Sequence, residues 1–162
     1  MVTYHYGNLL ESDCQIICHQ VNCLGYMGAG IAKAIRIKYP NAYKVYREHY
    51  SKCDILGKVA IASDTDEQFP NINNPRFIAN MFAQKDIYPR GIRHTDYDAF
   101  RACLQYLKDA LYLFDEVYGK MKIGFPDHIG CGLAGGNWDI IRNMIEEVFA
   151  NDEHEIQIWK LN

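Results

Sequence analysis

The strongest constraint on the fold of this chain is the alternation of short apolar segments with segments of helical periodicity. Apolar segments of strand length occur at residues 2–6, 15–21, 57–62, 76–82, 122–126 and 155–161. Helical patterns separate several of them, most clearly at 98–115, where apolar residues recur every three or four positions. Strands that are apolar on both faces and alternate with helices are typical of a mostly parallel sheet. The sequence therefore predicts an α/β fold.

The size and composition of the chain fit a single domain spanning residues 1–162. Its residues are 49% hydrophobic and 23% charged, a balance that allows a chain of this length to bury a core. The net charge of −3 indicates no direct nucleic-acid surface, and no apolar run suggests a membrane span or a signal peptide. The six cysteines form no CxxC pair and lack zinc spacing. We therefore expect reduced thiols, a cytoplasmic location, and neither a metal nor a cofactor.

Two glycine-rich segments follow predicted strands and precede helical patterns. They are "GYMGAG" at 25–30 and "IGCGLAGGNW" at 129–138. Glycine lets the backbone approach a phosphate closely, and a helix N-terminus supplies free amides and the positive end of a dipole. Ligands of parallel sheets bind at the carboxyl ends of the strands. We therefore expect both segments at the same edge of the sheet, where they could hold the two phosphates of a diphosphate-bridged ligand.

Neither segment fits a common nucleotide-binding signature. The glycines of 130–135 match G-x-G-x-x-G, but that fingerprint belongs to the first βα unit of its fold, and only one predicted strand follows here. The glycines of 25–30 have Walker A spacing, but Ile31 stands where the phosphate-binding lysine is required. The sequence therefore favours neither a dinucleotide-binding fold nor a P-loop NTPase.

Four segments together resemble the macrodomain family. They are "YGNLLESD", which is similar to the turn after the family's first strand, "HQVNCLGYMGAGIAKAI", which is similar to its ribose and phosphate loop, "IANMFAQ" and "IGCGLAGGNW". The last two look like the branch that contains ADP-ribose 1″-phosphate phosphatases. The resemblance covers nearly the whole chain. It implies a three-layer α/β/α fold, a mixed, mostly parallel six-stranded sheet, and an ADP-ribose cleft.

The resemblance also implies which residues bind the ligand. Asn8, followed by Leu9, stands where the family usually has an adenine-binding Asp. Its side-chain oxygen can accept the adenine amino hydrogen, but the charge is lost. The resemblance implies that Asn22 binds the distal ribose. The diphosphate and the distal ribose would be lined on one side by Gly28, Ala29, Gly30 and Ile31, and the diphosphate on the other by Ile129, Gly130, Cys131, Gly132, Leu133, Ala134 and Gly135.

The catalytic candidates are His19, Asn22, Gln84 and Asp127. His19 matches a histidine proposed as catalytic in phosphatase-type macrodomains, and its imidazole titrates near neutrality; the alternative is a buried, structural histidine. Gln84 stands where macrodomains that remove ADP-ribose from DNA or acidic side chains carry a lysine, and Ala134 replaces their loop Asp. This departure disfavours the lysine mechanism. Asp127 could serve as a second acid or base.

Three functions remain open on the sequence. In the first, the chain binds ADP-ribose derivatives and hydrolyses the phosphomonoester of ADP-ribose 1″-phosphate. The second is a non-catalytic module that binds ADP-ribose, and the third is a hydrolase that removes ADP-ribose from a modified macromolecule. In all three, the expected partner is ADP-ribose, its 1″-phosphate or an ADP-ribosylated macromolecule. None of them involves binding to a membrane. The sequence does not predict an oligomeric state.

Overall fold

Helices cover both faces of a central sheet in the computed structural model, which describes residues 1–65 and 73–161. The strands are β1 (Val2–Tyr6), β2 (Ile16–Val21), β3 (Val59–Ser63), β4 (Phe77–Phe82), β5 (Ile123–Pro126) and β6 (Ile156–Lys160). The helices are α1 (Gly30–Lys38), α2 (Pro40–His49), α3 (Tyr97–Tyr118) and α4 (Trp138–Val148). A 3-10 turn at Leu9–Glu11 follows β1.

The order of the strands places the two glycine-rich segments together. The order is β1-β6-β5-β2-β4-β3, and all neighbours are parallel except β3 and β4. Because β2 and β5 are parallel neighbours, the segments that follow them leave from the same edge of the sheet. The predicted mixed, mostly parallel six-stranded sheet is confirmed, and so is the shared edge.

Two helical layers complete the predicted three-layer fold. Helices α3 and α4 pack on one face of the sheet, and α1 and α2 pack on the other. The apolar stripe of α3 is fully buried at Phe100, Leu104, Leu107 and Leu111. Each such side chain contributes roughly 1.5–3 kcal/mol through the apolar surface that it removes from water. This stripe holds the longest helix against the sheet.

Polar residues begin two of the helices that flank the cleft described below. Asp96 accepts a hydrogen bond from the Ala99 amide at 2.9 Å and begins α3. Asn137 accepts one from the Asp139 amide at 2.9 Å and begins α4, the capping role expected of an Asn directly before a helical pattern. These side chains satisfy amides that the helix itself leaves free.

Two predicted boundaries differ from the structure by two residues or more, each for an identifiable reason. Strand β3 begins at Val59 rather than at 57, because Gly57 has a φ of +89° and forms a turn that packs closely against α3. Helix α3 continues beyond 115 to Tyr118, whose ring packs edge-on against Phe77 with ring centroids 5.4 Å apart. The tertiary contact extends the helix by one turn, until Gly119 ends it.

Candidate functional site

A cleft opens at the carboxyl edge of the sheet, where β2 and β5 lie side by side. It consists of two adjoining cavities of about 380 and about 410 Å³. Both cavities are lined by Gln20, Ala29, Ala32, Gln84, Leu133 and Ala134. The first, here called the arginine chamber, is also lined by Val21, Asn22, Tyr26, Gly28, Ile87, Tyr88 and Arg90. The second, the aspartate chamber, is also lined by Gly30, Ile31, Pro126, Asp127, His128, Ile129, Gly130 and Gly132.

The loop after β5 presents free backbone amides to this cleft. Among the described residues, no acceptor binds the amides of Gly132, Leu133 and Ala134, although all three residues line the cavities. The loop is held in place by other bonds, because the Ala134 carbonyl accepts hydrogen bonds from the amides of His94 and Thr95 at 2.7 and 3.1 Å. Three successive amides on a fixed loop form an anion-binding surface.

The start of α1 provides a second set of free amides. Ala29 precedes the helix and makes no side-chain capping hydrogen bond, so the first amides of α1 have no acceptor in the part of the chain that the structure describes. A Cβ added to Gly28 or Gly30 would meet no atom within 4 Å, so both glycines face open space. The preceding Met27 is 1% exposed and anchors the turn in the core. The positive end of this helix therefore points into an open cleft.

Asn22 shapes the wall of the arginine chamber from the end of β2. Its side-chain oxygen accepts hydrogen bonds from the Leu24 amide at 3.0 Å and the Tyr46 hydroxyl at 2.7 Å. Its side-chain nitrogen donates to the Tyr26 carbonyl at 2.9 Å. One N–H of Asn22 remains without an acceptor in the described part of the chain. Asn22 therefore organises the turn at 22–26 and still has one donor for a ligand.

A polar network that the sequence did not reveal joins the floor of the cleft to the glycine loop. Gln20 donates through Nε2 to Gln84 Oε1 at 2.8 Å and to Thr95 Oγ1 at 2.9 Å. Thr95 donates to the Gly130 carbonyl at 2.6 Å. Gln84 in turn donates to the Asp86 carbonyl at 2.9 Å. These bonds orient the Gln84 amide and leave one of its N–H groups for the cleft, which Gln84 lines.

The same network requires glycine at position 130. Gly130 has a φ of +73°, and a Cβ there would lie 2.6 Å from Gln20 Oε1 and 3.1 Å from Thr95 Oγ1. A side chain at this position would strain the backbone and displace the network. Gln20 and Thr95 could have been suspected from the sequence only through their positions, one at the end of β2 and the other shortly before α3.

The structure places the side chain of His19 in the core, which fits the structural alternative that the sequence left open. Its side chain is fully buried, lines neither chamber, and faces the α1 and α2 layer. Its Nε2 lies 2.6 Å from Asn80 Oδ1. Because Asn80 donates its own amide hydrogens to the carbonyls of Ala42 and Ala60, its oxygen must accept from His19. Burial lowers the pKa of His19 to about 4, with partial opposition from the Asn80 hydrogen bond. His19 is therefore a neutral core residue, out of reach of a ligand in the cleft.

The other predicted residues divide between the cleft and its surroundings. Asn22 and Gln84 line the arginine chamber, while Asp127 lines only the aspartate chamber, where its carboxylate contacts the His128 ring. The predicted glycine-loop residues that line a chamber are Gly28, Ala29, Gly30, Ile31, Ile129, Gly130, Gly132, Leu133 and Ala134.

Four predicted ligand residues lie outside the two chambers. Leu9 is 4% exposed and packs against Gly124 of β5. Asn8 caps the 3-10 turn by accepting from the Leu10 amide at 3.0 Å. Gly135 packs beside the Arg93 backbone. Burial raises the pKa of the Cys131 thiol to about 11, so this cysteine is not a thiolate nucleophile near neutral pH.

Arg90 and Tyr88 form a wall of the arginine chamber that the sequence analysis overlooked. Both residues are exposed, and the Arg90 guanidinium lies 5.7 Å from the centroid of the Tyr88 ring. They belong to the segment "IYPRGIR" at 87–93, between β4 and α3. A basic, glycine-containing turn at the end of a strand was the available signal.

Among the described residues, no cluster of histidine, cysteine or acidic side chains could hold a metal, and no helix is long and apolar enough to cross a membrane.

The fold and the site define an α/β protein with an anion-binding cleft at the carboxyl edge of its sheet. The ADP-ribose 1″-phosphate phosphatase of Scheffersomyces stipitis is 30% identical over 161 residues, covering 86% of this chain and 90% of that protein. The protein of the same name from Saccharomyces cerevisiae is 41% identical over 138 residues, covering 83% and 72%. The chain belongs to the macrodomain family, in the branch that contains the ADP-ribose 1″-phosphate phosphatases.

Other comparisons support the fold and show where the likeness is partial. The macrodomain of Mycobacterium tuberculosis DarG superimposes with a TM-score of 0.80 at 22% identity, covering 98% of this chain and 97% of that one. The DNA ADP-ribosyl glycohydrolase of the same organism is 31% identical over 86 residues, but the match covers 52% of this chain and 23% of that protein. Several curated relatives are thus much longer than the region they share with this chain. No family model matches the chain.

Proposed function

We propose that this chain, as a single macrodomain over residues 1–162, binds ADP-ribose and hydrolyses the phosphomonoester of ADP-ribose 1″-phosphate. One observation carries the proposal: the free amides of Gly132–Ala134 line the same cleft as the uncapped start of α1. Two sets of amides suit the two phosphates of ADP-ribose. Backbone donors also explain how a chain with a net charge of −3 could bind an anion without a basic surface.

The proposed reaction divides the phosphomonoester between two products. The oxygen of a water molecule attacks the phosphorus, and the bond between the phosphorus and the ribose 1″-oxygen breaks. The ribose oxygen leaves with a proton that derives from the water, so the products are ADP-ribose and inorganic phosphate. Gln84 lines the cleft and keeps one N–H without a described acceptor, and this donor would stabilise an oxygen that gains negative charge. Fixed positioning of the diphosphate would supply much of the remaining rate.

A non-catalytic ADP-ribose-binding module is the second candidate function. Within the described residues, the arginine chamber contains no carboxylate and no imidazole, since His19 is buried and Asp127 lines the other chamber. A general acid or base typically contributes about 10²–10⁴-fold to a rate. Its absence favours slow turnover or none. Removal of ADP-ribose by a lysine is disfavoured, because Gln84 stands at the lysine position and an amide cannot act as a base.

Calorimetric titration with ADP-ribose, followed by a phosphate-release assay with ADP-ribose 1″-phosphate, tests the proposal. Binding with phosphate release supports the phosphatase. Binding without release contradicts it and favours the binding module, or hydrolysis of a different ADP-ribose linkage. Absence of binding contradicts both candidates and the assignment of the cleft.

The substitution Gly132→Glu should abolish ADP-ribose binding in the same titration. A Cβ at position 132 meets nothing within 4 Å and the backbone is unstrained, so the protein should fold, while the carboxylate would enter the phosphate path. Gly132→Ala should bind more tightly than Gly132→Glu, because it adds bulk without charge. Asn151→Glu is the matched control, since it adds the same charge in an exposed turn at the opposite edge of the sheet. Unchanged affinity in Gly132→Glu would contradict the cleft assignment.

A further inference from the structure

The two chambers of the cleft carry opposite charges at their far ends. Of the residues that the structure describes, Arg90 is the only charged side chain that lines the arginine chamber, and Asp127 is the only carboxylate that lines the aspartate chamber. The shared middle is lined by small, apolar or amide side chains and by free backbone amides. A ligand that spans the cleft therefore meets a cation at one end and an anion at the other.

The Arg90 guanidinium is available to a ligand. It forms no ion pair with any described carboxylate, and its contact within the described chain is with the face of Tyr88. By contrast, Arg101 and Arg142 are paired with Glu147 and Asp139 on the surface. A guanidinium against an aromatic face keeps its N–H groups free at the edges, where they can bind a phosphate through two parallel hydrogen bonds.

The charges also select the orientation of an ADP-ribose derivative. With the diphosphate on the central amides, the adenine and the distal ribose must occupy opposite chambers. Asp127 would repel a further phosphate but can accept a hydrogen bond from an adenine amino group. Asn22 and Gln84 both line the arginine chamber and each keeps one N–H without a described acceptor, so a ribose oxygen there could accept a hydrogen bond from either. This orientation brings the 1″ position of the distal ribose towards Arg90.

We propose that Arg90 binds the terminal phosphate of ADP-ribose 1″-phosphate and makes the cleft prefer this molecule over ADP-ribose. The inference rests on the proposed function and names the residue that sets its substrate preference. ADP-ribose has a hydroxyl at the 1″ position and offers Arg90 no dianion. The free product should therefore bind less tightly than the substrate and leave the cleft.

Steady-state kinetics with Arg90→Gln provide the test. The initial rate of phosphate release gives kcat/KM for ADP-ribose 1″-phosphate, and competition in the same assay gives the inhibition constant of ADP-ribose. We expect Arg90→Gln to lower kcat/KM about 10- to 100-fold, the range for losing a charge-assisted pair. The inhibition constant of ADP-ribose should stay the same. Arg90→Lys should recover part of the loss, because lysine keeps the charge but not the bidentate geometry.

Arg93→Gln is the matched control. Arg93 lies in the same segment, its guanidinium is 4.3 Å from the centroid of the Tyr97 ring, and it lines neither chamber. Equal losses for Arg90→Gln and Arg93→Gln would indicate a general effect on the segment and would overturn the proposal. The proposal would also be overturned if Arg90→Gln bound ADP-ribose and ADP-ribose 1″-phosphate with the same affinities as the protein without the substitution.

Two further outcomes separate this inference from the proposed function. If the unchanged protein binds both ligands but releases no phosphate, the hydrolase proposal fails, and calorimetric affinities for the two ligands test Arg90 directly. An ADP-ribosylated oligonucleotide tests a nucleic-acid phosphate as the alternative anion. A loss of affinity in Arg90→Gln for the oligonucleotide alone would overturn the assignment to the terminal phosphate.

Discussion

At the scale of single residues, residue type and residue environment point to different roles for His19. An imidazole near a phosphate site is a common general acid or base. Here it is fully buried, donates to Asn80, and has a pKa lowered to about 4 by its burial. Its Nδ1 has no hydrogen-bond partner among the described residues. The side chain therefore serves the packing between β2 and α2 rather than the chemistry of the cleft.

The substitution His19→Ala should lower the free energy of unfolding by about 2–4 kcal/mol, through a cavity and an unpaired Asn80 oxygen. Turnover of ADP-ribose 1″-phosphate by the folded fraction should be unchanged. Urea denaturation and phosphate release on the same preparation measure the two effects. His19→Gln, which keeps a donor, should lose less stability. A stable His19→Ala variant with no turnover would restore the catalytic interpretation.

At the scale of elements, hydrogen bonds add to the buried side chain of Ile129 in holding the glycine loop against the sheet. Thr95 accepts from Gln20 of β2 and donates to the Gly130 carbonyl, while Gln84 joins the same network just after β4. The amides of His94 and Thr95 also hold the Ala134 carbonyl. The free amides at 132–134 are thus presented by a loop that β2 and the segment between β4 and α3 hold in position.

The substitution Thr95→Val should weaken ADP-ribose binding about 3- to 10-fold, because valine has the same shape but cannot bridge Gln20 to Gly130. The loop would then lose part of its fixed geometry before the ligand binds. Calorimetry measures the affinity, and the melting temperature reports whether the fold itself is affected. Thr95→Ser should restore binding. A Thr95→Val variant with normal affinity would show that the backbone bonds to Ala134 are sufficient.

At the scale of the whole molecule, a second buried histidine contacts helix α3 from the loop before β6, at the edge of the sheet opposite the cleft. His154 is 5% exposed and contacts Asp152 in the loop before β6 and Asp115 near the end of α3, the latter at 2.7 Å. Burial by itself would lower the pKa of His154, but hydrogen bonds to the two carboxylates outweigh it and raise the pKa. The imidazole therefore links helix α3 to the loop before β6.

The two buried histidines should place the maximum of stability near pH 6.5. The pKa of His154 is raised on folding, so its stabilisation is complete below 6.5 and is lost as pH rises through the folded value. His19 has a folded pKa of about 4, so the unfolded chain takes up a proton first and stability falls as pH drops from 6.5 towards 4. Urea unfolding between pH 5 and 8 measures the curve.

Matched variants assign the two limbs of that curve. His154→Gln should flatten the decline above pH 6.5, and His19→Gln should flatten the decline below it. For His19, the lowering of the pKa from 6.5 to about 4 corresponds to a loss of about 3 kcal/mol in the free energy of unfolding as the pH falls through this range. If both variants kept both declines, the assignment of one decline to His154 and of the other to His19 would be wrong.

The sequence by itself determined the elements of this protein and the part of its cleft that is made of backbone. Apolar periodicity depends on local geometry, so the strands and helices could be placed to within a few residues, and Asn137 could be identified as a cap. Glycine-rich segments after strands predicted loops at one edge, because parallel strands all end on the same side.

Only the tertiary structure decided what the side chains around that cleft do. Residues on one strand alternate between faces, and the helix layer that covers each face depends on contacts distant in sequence. His19 therefore entered the core, while its neighbour Gln20 reached the cleft floor. Thr95 and Arg90 reached the site through the segment after β4, whose path no local pattern specifies. Asn22 donates one N–H to the Tyr26 carbonyl and keeps the other free, while Tyr46, on a separate helix, donates to its side-chain oxygen.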